Sequence, residues 1–177
     1  MQLTVREATR SDAPAIARVR VAGWRAGYAG ILDDGVLAAL DPAADAARWL
    51  ATWDSGPRRR VAEAGGAVVG FTTTGAYRSA GDDPAWPLGP DDGELMAVYV
   101  DPGAWSRGVG AALLADADAV LRAGGHPVAR LWVLAANDRA RRFYARHGWV
   151  DEGVATAYTP PGGATAVPEV RYRRDLG

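Results

Sequence analysis

The chain has 177 residues, 49% of them apolar, which suits one domain with a full core. Its formal net charge is −1, so no overall field favours nucleic acid or an anionic membrane surface. Cysteine and lysine are absent and histidine occurs only at 126 and 147. That excludes disulfides, a cysteine nucleophile and a Schiff-base or phosphate-loop lysine, and no metal is expected.

Residues 3–9 alternate apolar and polar, as a half-buried strand does. A helix is predicted over 11–30, with Ser11 as N-cap, Asp12 and Pro14 in its first turn, and a stripe of Ile16, Val19, Arg20, Gly23 and Trp24. Residues 41–56 predict a second helix, capped by Asp41 with Pro42 at its first position. Residues 59–77 read as a hairpin turning at 64–67. A Pro/Gly/Asp-rich loop covers 78–93, long for a compact domain. The nearly continuous apolar run at 94–100 is a central strand. The stretch AWSRGVGAALL (104–114) opens a helix with Val109, Leu113, Leu114, Ala117, Val120 and Leu121 at helical spacing, ended by Gly124 and Gly125. Residues 128–134 form another central strand, and 137–148 a short helix with Asn137 as N-cap and Gly148 as stop. Strands over 149–158 and 166–176 flank a Pro/Gly turn. There is no internal repeat and no dividing linker, so residues 1–177 read as one mixed α/β domain. Residues 1–14 show no apolar signal region and no stretch approaches a membrane span, so the expected setting is cytoplasmic, with no membrane partner.

Two constellations carry chemistry. A helix N-terminus leaves backbone N–H groups unpaired and carries partial positive charge, and glycine lets a bulky anion approach them. Gly108 and Gly110 therefore place a diphosphate on the amides of Ser106, Arg107, Gly108, Val109, Gly110 and Ala111, although the same glycines could serve packing alone. The stretch is neither a Walker A loop nor a full dinucleotide fingerprint. In the second constellation, Asn137 and Tyr144 are seven apart, two helical turns, and share one face.

Together the two pieces resemble motifs A and B of the GNAT superfamily of acyl-CoA-dependent N-acyltransferases. Trp105-Ser106-Arg107-Gly108-Val109-Gly110 is similar to Gln/Arg-x-x-Gly-x-Gly/Ala, with Trp105 where the family usually has Gln or Arg. Asn137, Ala140 and Tyr144 match Asn-x-x-Ala-x-x-x-Tyr. The resemblance implies a mostly antiparallel sheet splayed between its two central strands and flanked by about four helices. It implies acetyl-CoA as co-substrate and no metal. The pantetheine arm would meet backbone groups of Val98, Tyr99 and Val100 on a bulged strand, and an N–H near Ala97 or Val98 would polarise the thioester carbonyl. Asn137 would hydrogen-bond the CoA arm, and Tyr144 would protonate the leaving thiolate.

The acceptor amine must lose a proton, and Glu94, at the start of the central strand, is the expected base, with Asp91 and Asp92 next in line. Without a cysteine, direct transfer in a ternary complex is favoured over an acyl-enzyme. Asp82, Asp83, Asp91, Asp92 and Glu94 around Trp86 suit a cationic amine, or are a solvated acidic loop. Trp24 and Tyr28 are expected to line the acceptor pocket, with core packing as the alternative. Arg139, Arg141, Arg142 and Arg146 read as a solvated face, with one of them reaching the CoA 3′-phosphate as the sharper reading. The leading expectation is N-acetylation of a small-molecule amine. Acetylation of a protein N-terminus or lysine, and a non-catalytic acyl-CoA sensor, are the alternatives. A homodimer is left open.

Overall fold

A computed structural model describes residues 2–78 and 91–177 of the chain. Asp82, Asp83 and Trp86 of the acidic loop lie outside the described residues. The elements follow the order β1 (Leu3–Glu7), α1 (Ala13–Gly27), α2 (Asp34–Ala38), α3 (Pro42–Ala51), β2 (Arg58–Ala64), β3 (Ala67–Ala76), β4 (Gly93–Val100), α4 (Val109–Ala123), β5 (Val128–Leu134), α5 (Asp138–Arg146), β6 (Val150–Tyr158) and β7 (Val167–Asp175). One seven-stranded sheet runs β1-β2-β3-β4-β5-β7-β6. Every neighbouring pair is antiparallel except β4 and β5.

Two expectations about the helices change. There are five helices rather than about four: α2 spans only five residues, too few for a helical repeat to show in the sequence. The chain enters α1 through a 3-10 turn at Arg10–Asp12 whose cap is Thr9, not Ser11. The Asp12 carboxylate accepts the Thr9 N–H at 2.7 Å and is gripped by Arg6 at 2.8 and 2.9 Å, so a side chain three residues on holds the turn. The expected cap of α3 is present: Asp41 accepts the Ala43 N–H at 2.9 Å, with Pro42 at the first position.

Helices α1 and α4 cover opposite faces of the sheet. On one face Ile16 and Val19 of α1 pack with Val61 and Phe71 of the hairpin. On the other, Leu114, Ala117 and Leu121 of α4 and Tyr144 of α5 pack with Leu95, Leu131, Val133 and Tyr172. Leu113, Leu114 and Leu121 are fully buried, each contributing about 1.5–3 kcal/mol by transfer from water.

Two irregularities in β4 open the site. The β3–β4 register passes from Thr73 opposite Ala97 to Thr74 opposite Leu95, so Met96 is an extra residue, a β-bulge. The β4–β5 pairing consists of Gly93 with Ala129 and Glu94 with Arg130 only. Beyond Glu94 the two central strands diverge. The β4 edge from Leu95 to Val100 then faces a cleft instead of β5.

Candidate active site

The cleft between the diverging strands has a volume of about 500 Å³ and runs from the start of α4 to the C-terminal end of α1. Main chain dominates its α4 end. Gly108 is the N-cap of α4 in the left-handed region, φ 82°, with no side chain capping the helix. A Cβ at 108 would meet no neighbour, so glycine is set there by conformation. Gly110 serves a different purpose: a Cβ there would lie 3.2 Å from Phe143, so it allows α5 close to α4. The residue before this turn is Trp105, whose indole N–H donates to the Val100 carbonyl at 2.8 Å while the Arg139 guanidinium stacks 3.5 Å above its ring. Trp105 ties the turn to the end of β4 through a side chain, and the departure from the motif is a structural tie.

Asn137 caps α5, its side-chain oxygen accepting the Ala140 N–H at 3.1 Å, which leaves its amide hydrogens as donors toward the cleft. Tyr144 is 8% exposed, packs against Phe143, Trp149 and Tyr172, and still lines the cleft. Burial, with Tyr99 adding to it, holds its hydroxyl well above the ordinary tyrosine range, so the group is a proton carrier at neutral pH.

Side chains dominate the other end. Tyr28, at the C-cap of α1, and Tyr99 bring their hydroxyls to 3.2 Å. Burial first, then Tyr99, pushes Tyr28 well above its usual value. Trp132 of β5 lines the same end, its indole N–H donating to the Tyr77 hydroxyl at 3.0 Å. Gly23 and Gly27 of α1 complete the wall; a Cβ at 23 would press on the Tyr99 ring at 3.3 Å.

Most of the residues expected from the sequence meet here. Val98, Tyr99, Val100, Ser106, Gly108, Gly110, Ala111, Asn137, Tyr144 and Tyr28 line the cleft. Four others stand apart. Arg107 is exposed outside the lining, and the Val109 side chain is buried with Leu113 and Ala104, so only their main chain is placed to serve a ligand. Trp24 is core: it packs with Leu32, Leu37 and Leu134, edge-on to Tyr28 and under the Arg20 guanidinium. Glu94 is 4% exposed, and both its oxygens are held by Arg78, at 2.8 and 3.1 Å, with the Arg78 N–H at 3.0 Å. Asp92 is buried and ion-paired with Arg130, and the carbonyl of exposed Asp91 meets the His126 ring at 2.6 Å. Of the four arginines on α5, Arg139 and Arg146 line the cleft, whereas Arg141 binds the Tyr172 hydroxyl and the Ala135 carbonyl. Trp105, Trp132 and Phe143 were not anticipated as lining. Single aromatics on strands and helices give no local signal of which cavity they border.

Residues 26–149 match the acetyltransferase (GNAT) family, and the chain belongs to that family. A probable N-acetyltransferase of Mycobacterium tuberculosis is 29% identical, covering 97% of this chain and 92% of its own. The uncharacterized N-acetyltransferase YuaI of Bacillus subtilis is 32% identical over 76% of this chain and 73% of its own. The crystal structure of PaiA N-acetyltransferase from Thermoplasma acidophilum in complex with coenzyme A superposes over 99% of both chains, with TM-score 0.75 and 17% identity. YncA of Salmonella typhimurium, solved with its cofactor acetyl-CoA, superposes over 100% of this chain and 95% of its own, with TM-score 0.72 and 22% identity. The protein is an acetyltransferase of this fold. Among the described residues no group of histidine or acidic side chains could hold a metal, and no helix is long and apolar enough to cross a membrane.

Proposed function

We propose that the protein moves the acetyl group of acetyl-CoA to the primary amine of a small molecule, by direct transfer in a ternary complex. The observation that carries this reading is the splay of β4 from β5. It leaves a strand edge open between an uncapped helix N-terminus and a buried tyrosine.

The residues fit acetyl-CoA in a definite direction. The amides from Ser106 to Ala111 suit a diphosphate, because the helix start presents several N–H donors with no side chain over them. The β4 edge at Val98, Tyr99 and Val100 suits an amide-bearing arm lying alongside it as an extra strand. The Asn137 amide is placed to donate to that arm. Bound acetyl-CoA supplies an activated acetyl carbonyl at the tyrosine end.

The chain's own groups then perform the transfer. A backbone N–H at the bulge, near Ala97 or Val98, is the donor for the carbonyl oxygen as it gains charge. Tyr144 gives its proton to the departing sulfur; its raised pKa keeps it protonated until a thiolate forms. Glu94 can take the amine's proton only by giving up its contacts with Arg78. The Tyr28 end of the cleft is walled by side chains of α1, β4 and β5, which suit a small acceptor.

The test is binding followed by turnover. Acetyl-CoA at a hundredfold excess over its Kd should stabilise the fold by about 2.7 kcal/mol, read as a rise in Tm. Thiol release should then depend on added amine. No Tm shift at millimolar acetyl-CoA removes the cofactor assignment; a shift without amine-dependent release removes the transfer.

A further inference from the structure

Beside the acceptor half of the site, on the same face of the sheet, lies a carboxylate that no motif marks. Glu169 lies on β7, directly opposite Leu134 of β5 and Thr156 of β6. Directly opposed residues share a face, so Glu169 faces the side that carries Leu134 and, two residues along β5, the cleft-lining Trp132. Leu134 packs with Tyr28, Tyr99 and Tyr158 on that same face.

The cations nearby are already matched. Arg78 holds Glu94, Arg130 lies between Asp92 and Glu152, Arg171 is bound to Glu152 at 2.5 Å, and Arg20 to Asp45. Glu169 is half-buried, and its side-chain carboxylate makes no hydrogen bond or ion pair with any described residue. A half-buried carboxylate without a cation is costly unless a ligand supplies one.

We propose that Glu169 is the catalytic carboxylate of the acceptor site: it binds the ammonium of the incoming amine beside Tyr28, Tyr99, Tyr158 and Trp132, and takes its proton. This rests on the transfer reading above and assigns within it the base role that Arg78 denies to Glu94. The aromatic walls fit a primary amine carried on an apolar or aromatic body. The protons balance. The ammonium gives one proton to Glu169, and the nitrogen attacks the thioester carbon. The C–N bond forms, the C–S bond breaks, and Tyr144 protonates the sulfur. The second nitrogen proton restores Tyr144, and Glu169 releases its own to solvent. The groups that bear on Glu169 suit the role. Burial, and after it the charge of Glu94 on β4, raise its carboxyl above the ordinary value, which makes it a stronger base; Tyr158 on β6 is the other titratable neighbour.

The experiment compares the parent with Glu169→Gln, Glu169→Asp and Glu94→Gln, using 2-phenylethylamine, tryptamine and spermidine as probes and thiol release as the signal. Glu169→Gln should lower kcat/KM for the amine by about 100-fold and remove the acid limb of its pH profile. Its KM for acetyl-CoA and its Tm should match the parent, which separates a chemical role from a structural one. Glu169→Asp should keep the acid limb. Glu94→Gln should cost less than Glu169→Gln. Glu169→Gln within threefold of the parent, or with its acid limb intact, overturns the assignment alone. A parent that binds acetyl-CoA but acetylates none of the probes overturns it together with the small-amine reading.

Discussion

At the α4 end of the cleft the groups facing it are backbone amides on one turn; at the α1 end they are side chains of α1, β4 and β5, the hydroxyls of Tyr28 and Tyr99 and the indole of Trp132. The first wall spans a few consecutive residues and tolerates different side chains, because its chemistry is the peptide bond. The second is assembled from positions more than a hundred residues apart and depends on each side chain. A ligand part common to many enzymes suits the first kind of wall, and a part that distinguishes one enzyme suits the second.

Substitutions can test that division. Tyr144→Phe removes the hydroxyl proposed as the acid, at the junction of the walls, and should lower kcat about 100-fold, with acetyl-CoA affinity unchanged in a binding titration. Equal loss in affinity would mean that the hydroxyl belongs to the first wall. Gly108→Val puts a β-branched residue at φ 82°. It should cost about 1–2 kcal/mol of stability and about tenfold in acetyl-CoA affinity, while the KM ratio among different amines stays constant. A changed amine preference would show that the walls are coupled.

A control lies outside both. The Arg6 guanidinium, with help from the Thr9 N–H, pulls the Asp12 carboxyl down to about 2. Because the folded pKa is below the unfolded value, this contribution is complete above about pH 4 and is lost as pH falls toward 2. Arg6 is partly exposed, so the contribution is about 1 kcal/mol. The parent's Tm should fall more steeply than that of Asp12→Asn across this range, while acetyl-CoA affinity at pH 7 is the same for both. The smallest effect is expected for Tyr28→Phe. Loss of its hydroxyl contact with Tyr99 should shift the KM for the amine by less than tenfold and leave acetyl-CoA affinity alone.

The walls also differ in how they are written into the chain. Gly108 and Asn137 are legible because their residue types set the local conformation at a helix start. The strands at 94–100 and 128–134 are legible for the same reason, through their apolar runs, and the structure has them as β4 (93–100) and β5 (128–134). Glu169 is not, because a glutamate beside arginines in PEVRYRR reads as a solvated strand. Its setting comes from β5 and β6. Trp24 and Tyr28 are four apart on adjacent turns and both pack in the cluster around Leu134, yet only Tyr28 also borders the cleft. Arg78 and Glu94 pair across the 78–93 loop, which no periodicity reveals.

The bulge at Met96 has a consequence of phase. Leu95 packs on the α4 face, and strict alternation would send residue 97 to that face too, with Tyr99 following it. Instead Ala97 and Tyr99 pack on the α1 face, and Val98 and Val100 on the α4 face. One inserted residue thus inverts the parity of everything after it on β4. Deleting Met96 would join Leu95 to Ala97 in regular alternation, so Tyr99 would keep its place on the α1 face and the two valines theirs on the α4 face; only the kink in the β4 backbone would be lost.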